Sequence, residues 1–255
     1  DQFKQTPDFG LPIWKGEFEP ITLLVNADFG MGDTIHFYRF IEEVKKRVSK
    51  VVLRCDEDFQ YLFEDVLAKQ SYGILGDKII HMMALPKVLG IKDISGKPYL
   101  TPNAKYPPKE SLAVFDSLKF TKIGVCWSGN PFNPRDNERS MPAEEFLKIK
   151  HKLFSLNKID KQPGIMDIGC FMNDWNDTAH LVQKLDLVIT VDTAIAHLAG
   201  AMGKPVWLLV PKSPDWRWGK EGSKTVWYDS MRIFRQETTW SDLMKKVVSS
   251  LTDPE

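Results

Sequence analysis

The sequence predicts an α/β protein of two doubly wound, Rossmann-like lobes, each on a mainly parallel sheet, with a ligand cleft between the lobes. Three observations carry this reading. Short continuous apolar runs recur along the chain, as strands buried on both faces require. Between them, apolar residues return every three or four positions, the spacing of helices packed on a sheet. The alternation is interrupted once, at residues 91–111, by a stretch dense in proline, glycine and lysine.

The first apolar run is Ile21–Ala27, ITLLVNA, which reads as a buried strand. The turn DFGMG follows, and then a helix on which Ile35, Tyr38, Ile41, Val44 and Val48 share one face. Val51–Arg54 is the second strand, completing a right-handed βαβ unit. Phe59–Leu67 and Leu85–Leu89 read as further helices. The interrupting segment is the crossing between lobes, anchored by Tyr99 and Tyr106, so the lobes span residues 1–118 and 119–255. In the second lobe Lys122–Trp127 is a strand, Ala143–Lys150 a helix, and another strand lies near Phe154. A helix over Thr178–Lys184 leads into the strand Leu187–Val191, the helix Thr193–Ala201 and the strand Val206–Val210. A tryptophan-dense loop precedes a last amphipathic helix, Ser241–Leu251. Open sheets of this kind take ligands at the carboxyl ends of their strands.

Composition narrows the partners. A chain of 255 residues is comfortable for two small domains. Its 34 basic and 34 acidic residues cancel, which argues against a nucleic-acid partner. No run approaches the roughly 20 apolar residues of a membrane span. Residues 1–20 are polar and broken by proline and glycine, unlike a signal peptide. Cys55, Cys126 and Cys170 are scattered, forming neither a disulfide framework nor a metal site. Three buried thiols in the cytoplasm is the expectation.

Four motifs stand at strand ends. In DLVITVDTAIAHLAG a strand runs straight into Asp192 and Thr193, where a helix begins. Free N–H groups at a helix start suit a diphosphate; Ala194 lets it approach, and the Thr193 hydroxyl and His197 are within its reach. The alternative is a plain helix cap with a packing histidine. In FGMGDTIHF, Gly30 and Gly32 permit positive φ and close backbone approach, and Asp33 is aimed into the cleft. Asp33 is either a general base for an incoming hydroxyl or a cap, and a cap's N–H bonds would weaken it as a base. In GVCWSGNP the strand opens after Trp127, a cleft or stacking candidate, into Ser128, Gly129 and Asn130, a phosphate-sized loop, and Arg139 is either a phosphate clamp or a solvated loop charge. Around PDWRWG and WYDSMRIFRQ, Asp215 lines the cleft, and Trp216, Trp218, Trp227 and Tyr228 either stack on a base or sugar or pack beneath a loop.

Taken in order, GMGDTIHF, GVCWSGNP, RSMP, DLVITVDTAIAHLAG with GKPVWLL, PDWRW and WYDSMRIFRQ resemble one family. It is the bacterial glycosyltransferase-like module often found with tetratricopeptide repeats, related to the lipopolysaccharide heptosyltransferases and more distantly to O-linked N-acetylglucosamine transferase. The resemblance runs from Trp14 to about Trp240. It implies a GT-B fold, a nucleotide-diphosphate sugar donor held by the second lobe, and an acceptor of unknown kind, glycan or protein, at the first. It implies Asp33 as the base, Asp192, Thr193, Ala194 and His197 at the donor diphosphate, and Arg139 on a phosphate, with no metal and no cofactor beyond the donor. Two departures stand out: Asp28-Phe29 replaces the usual Glu-Gln, and the stretch from Lys158 to Trp175 is short and irregular. The expected activity is inverting sugar transfer; a silent sugar-binding module and a nucleotide-sugar epimerase are the alternatives.

Overall fold

The computed structural model describes residues 9–67 and 76–252, and the chain divides into two compact units, Asp1–Ile94 and Ser95–Glu255. The first is built on a three-stranded parallel sheet. Its central strand β1, Glu19–Asn26, lies between β2, Val48–Arg54, and β3, Lys78–His81. Leu23, Leu24 and Val25 are at most 2% exposed, so β1 is buried on both faces as its continuous apolar run requires.

The expected first helix is two short ones, α1 over Met31–Tyr38 and α2 over Ile41–Lys45. Arg39 turns its Nε onto the His36 carbonyl at 3.0 Å, a side-chain cap at the point where the helix breaks. Val48 opens β2 rather than closing a helix. Phe59–Leu67 is not a helix either: a 3-10 turn over Glu57–Phe59 runs into further turns. Long-range contact wins over local periodicity there, because Leu53 in β2 donates to the Val66 carbonyl at 2.6 Å and holds the segment against the sheet. The short helix α3, Leu85–Val88, follows with Pro86 in its first turn. Strand β3 escapes sequence reading because only Ile79 and Ile80 of its four residues are apolar.

The second unit has six strands, all parallel: β4 Ile123–Cys126, β5 Leu153–Ser155, β6 Met166–Asp167, β7 Leu187–Val191, β8 Val206–Val210 and β9 Met231–Arg235. Their order is β6-β5-β4-β7-β8-β9. The helices α4, Ala113–Ser117, α5, Asp136–Arg139, α6, Trp175–Gln183, α7, Ala194–Ala201, and α8, Trp240–Thr252, connect and cover them. Val125, Ile189 and Leu209 pack with Phe146, Met244 and Val247 in one core, so α8 closes a sheet face. Ala143–Lys148 is a 3-10 helix rather than an α-helix. Strand β9 was hidden by its arginines: the Arg232 guanidinium lies 4.9 Å from the Phe234 ring centre and packs as an apolar plate would.

The units divide at Ile94 and Ser95, ahead of the residue-118 boundary expected from the sequence. Backbone hydrogen bonding explains the difference. The amides of Tyr99 and Leu100 donate to the Ala201 carbonyl at 2.8 and 3.0 Å, and Asn176 Nδ2 donates to the Tyr106 carbonyl at 2.7 Å. A proline-rich strap with few partners of its own satisfies its polar backbone on the second unit. The expected burial of three thiols holds for Cys126 alone; Cys55 is half-buried and Cys170 exposed.

Candidate functional site

Strand order determines where the second sheet can take a ligand. From β4 the chain winds outward through β5 and β6, then returns to the other side of β4 and winds through β7, β8 and β9. The loops after β4 and β7 therefore diverge, which opens a crevice at the carboxyl ends of these two neighbours. The loops that reach this end begin with Trp127–Asn130 after β4, Asp192–Thr193 after β7 and Asp215–Trp218 beyond β8.

The β4 loop is held from below. Asn157, only 6% exposed at the end of β5, accepts the Trp127 N–H through Oδ1 at 3.0 Å. Its Nδ2 donates to the Ser128 hydroxyl at 2.7 Å and to the Ser128 carbonyl at 3.2 Å. The Asn130 side chain accepts the Phe132 N–H at 3.0 Å, an Asx turn that starts the next bend. Arg139 is no solvated loop charge. Its Nε bonds the buried Asp136 at 3.1 Å, and Asp136 also accepts the Ser140 hydroxyl at 2.8 Å. The guanidinium lies against Gly129 so closely that a Cβ there would stand 2.5 Å from Arg139 Nη2 and collide with Asp136. Gly129 leaves room for this approach and is not there for a positive φ.

At the end of β7, burial pushes the Asp192 carboxyl above the usual carboxylate range. The Trp218 indole, Arg139 and Arg217 oppose that shift and Asp215 adds to it. The Trp218 Nε1 faces the carboxyl without completing a hydrogen bond. Thr193, rather than Asp192, is the N-cap of α7, and its side chain caps no N–H group. Its hydroxyl instead lies 3.2 Å from that of Thr190 and 3.7 Å from Cys126 Sγ, beneath the helix start. What α7 presents at this crevice is therefore backbone N–H, beside the half-buried Ala194.

His197 is 4% exposed, with Nδ1 2.8 Å from the Tyr228 hydroxyl and its ring stacked on Trp218 at 5.3 Å. It carries the indole that faces Asp192. Tyr228 is buried where Gly200 leaves room for its ring, and Trp218 is buried too, so neither is a stacking face. Trp127 was expected as a cleft residue and is not one. It is 1% exposed in the core, and its indole N–H donates to Asp160 at 2.6 Å. Trp216 is 61% exposed, next to Asp215, which caps the turn by accepting the Arg217 N–H at 3.1 Å.

In the first unit, Gly30 is the N-cap of α1 with φ −58°, and Gly32 lies inside the helix, so neither uses the positive φ that glycine permits. Asp33 is the third helical residue rather than the cap, half-buried, with Oδ2 over Gly30. The two residues that replace the usual Glu-Gln are engaged with β3: Asp28 pairs with His81 Nε2 at 3.2 Å, and Phe29 lies 5.0 Å from the His81 ring. Sequence reasoning missed Asn157, Asp136 and Ser140. The only available signal for Asn157 was its place just past a short apolar run.

A switch-point crevice on a parallel sheet defines the class as open α/β folds that take ligands at the carboxyl ends of their strands. Comparison with known proteins narrows it. Residues 174–246, which contain α7 and the Trp216 turn, match the model of glycosyltransferase family 9 (heptosyltransferase). The curated Protein FlbA of Caulobacter vibrioides is 38% identical over 82 residues, which are 31% of this chain and 13% of that protein's length. Among solved structures, the family 9 glycosyl transferase of Veillonella parvula superposes with TM-score 0.62 over 94% of this chain and 92% of its own, at 14% identity. The ADP-heptose lipopolysaccharide heptosyltransferase II of E. coli gives 0.52 over 91% and 97%, at 13% identity. The dodecameric iron-containing heptosyltransferase TibC, solved with ADP-D-beta-D-heptose, gives 0.60 over 91% of this chain and 65% of its own, at 10% identity. The fold is thus the GT-B-like α/β fold of these enzymes. Among the described residues no helix is long and apolar enough to cross a membrane.

Proposed function

We propose that this protein moves a sugar from a nucleotide-diphosphate donor to an acceptor hydroxyl in the cytoplasm, with inversion and without a metal. The observation that carries the reading is the arrangement at the β4–β7 switch point. The α7 N-terminus, the Ser128–Asn130 loop and the clamped Arg139 lie at the carboxyl ends of adjacent strands. As the bond between the sugar carbon and the donor phosphate oxygen breaks, that oxygen keeps the electron pair. Helix N–H groups and Arg139 meet the charge that develops there. The acceptor oxygen forms the new bond and passes its proton to Asp33, whose place just beyond the carboxyl end of β1 motivates this role. The match to family 9 and the ADP-heptose bound by TibC support a sugar nucleotide as donor.

The test is thermal-shift and calorimetric titration with ADP, UDP and GDP and with their sugars, followed by donor-turnover assays. A ligand at 100 times its Kd stabilises the folded state by about 2.7 kcal/mol. A midpoint unmoved by every nucleotide would end this reading.

A further inference from the structure

The turn that carries Trp216 and Trp218 belongs to no strand or α-helix. After the 3-10 helix Trp216–Trp218 the chain passes through Gly219 at φ 61° and Gly222 at φ 80°, both in the left-handed region. Such a loop holds no geometry by itself. The Trp227 indole N–H donates to the Arg217 carbonyl at 3.0 Å, and the Ser223 carbonyl accepts the Ile233 N–H at 2.8 Å, but most of the loop's carbonyls are taken by one side chain. Arg235, the last residue of β9, donates from Nε to the Gly222 carbonyl at 2.7 Å, from Nη1 to Gly219 at 2.9 Å, and from Nη2 to Trp218 at 2.5 Å and Glu221 at 2.9 Å. Four carbonyls of one loop converge on one guanidinium. Only a planar fork of five donors does this; the ammonium of a lysine has three, on a flexible stem. Burial lowers the Arg235 pKa, a cost borne at a position where an alternating strand needs no charge. Upstream, the anchored turn stacks Trp218 on His197; Trp216 has the Arg217 guanidinium 4.6 Å from its ring centre and the Trp227 ring edge-on at 5.8 Å, and stays 61% exposed.

We infer that Arg235 is the positioning residue of the donor site, fixing the 215–222 loop so that Trp216 offers a stacking face to the nucleotide base. The inference rests on the donor-site reading above and adds the platform for the base and the residue that sets it. Arg235 itself touches no substrate. Its effect passes through the loop, so the two residues are coupled in binding.

A double-mutant cycle tests this, with ADP and UDP as probes and calorimetry as the readout. Trp216→Ala should weaken nucleotide binding about 5- to 150-fold, the usual worth of one base on one aromatic face. Arg235→Lys should weaken it about tenfold by loosening the loop. In the Arg235→Lys background, Trp216→Ala should then add less than about twofold, because the platform is already lost. Losses that multiply, or an Arg235→Lys variant of parental affinity, overturn the inference. Hydrogen exchange separates anchoring from general stability. Amides of 216–222 should exchange faster in Arg235→Lys while β7 and β8 keep their protection; faster exchange throughout would make Arg235 a stability residue only. If Arg235→Lys fails to fold, Arg235→Gln, which keeps two donors, carries the same cycle. If the parent binds neither nucleotide, the donor reading fails, and exchange of the loop without ligand still decides the anchoring.

Discussion

Asn157 Nδ2 donates to the Ser128 hydroxyl at 2.7 Å while its Oδ1 accepts the Trp127 N–H at 3.0 Å, so one buried amide at the end of β5 sets the loop that leaves β4. Both sides of that amide are used. Asn157→Ala leaves the Trp127 N–H buried without its acceptor, which should cost about 1–3 kcal/mol. It should also free the Ser128 loop and weaken ADP binding. Thermal unfolding and calorimetry check both, and a variant with parental stability would show that water replaces the amide.

Gly129 sets the reach of Arg139. A Cβ there collides with Asp136 and approaches Arg139 Nη2 to 2.5 Å, and both are held in one ion pair. Gly129→Ala should therefore push the guanidinium away from the crevice. The expected results are a loss of about 1–3 kcal/mol in stability from overpacking, weaker nucleotide affinity, and a flatter dependence of that affinity on salt. Unchanged salt dependence would mean that Arg139 does not meet the phosphates.

Asp192 makes a pH-dependent claim. Burial raises its carboxyl pKa, so the folded protein holds this proton more tightly than the unfolded chain does. As pH rises from the ordinary aspartate value, about 3.9, through the raised one, the unfolded chain loses its proton first and stability falls. Asp192→Asn removes that loss. Its melting midpoint should exceed the parent's near about pH 8, with the advantage shrinking toward about pH 4. Equal midpoints at every pH would show that Arg139 and Arg217 offset the burial in full.

Thr193→Ala should read out as stability. The hydroxyl is committed to Thr190 at 3.2 Å below the helix start, so its loss should cost about 0.5–1.5 kcal/mol while ADP affinity stays close to parental. A clear loss of affinity without loss of stability would turn the hydroxyl toward the ligand.

Asp33→Asn keeps the size of the side chain but cannot take a proton. Sugar transfer should fall by about 10²- to 10⁴-fold with donor binding intact. Transfer at the parental rate would leave Asp33 as a first-turn helix residue and no more.

The elements readable from the sequence are those whose local pattern and tertiary role agree. Leu187–Val191, apolar but for the buried Thr190, and Val206–Val210, apolar throughout and buried but for the partly buried Trp207, are both strands within the predicted bounds. The helix between them begins at Ala194 with Thr193 as its cap, one residue from expectation. Val48, Phe59–Leu67, β3 and β9 were not legible, because each takes its conformation from a partner far along the chain. Val48 pairs with Glu19, β3 lies beside β1, and β9 lies beside β8.

The candidate site divides in the same way. The sequence alone determined that Ser128, Gly129 and Asp192 stand where strands end, with Asp33 and Arg139 a short way beyond, since an apolar run that stops at a small or acidic residue marks a strand leaving the core. Tertiary structure alone decided which of their atoms face a ligand. It put Trp127 in the core, turned the Thr193 hydroxyl beneath its helix, and stacked His197 under Trp218. It also supplied Asn157 and Arg235, whose partners lie in other loops of the chain. The physical reason is reach. Backbone periodicity is a property of neighbours in sequence, whereas a buried side chain's hydrogen bonds depend on whichever strand end folding brings beside it.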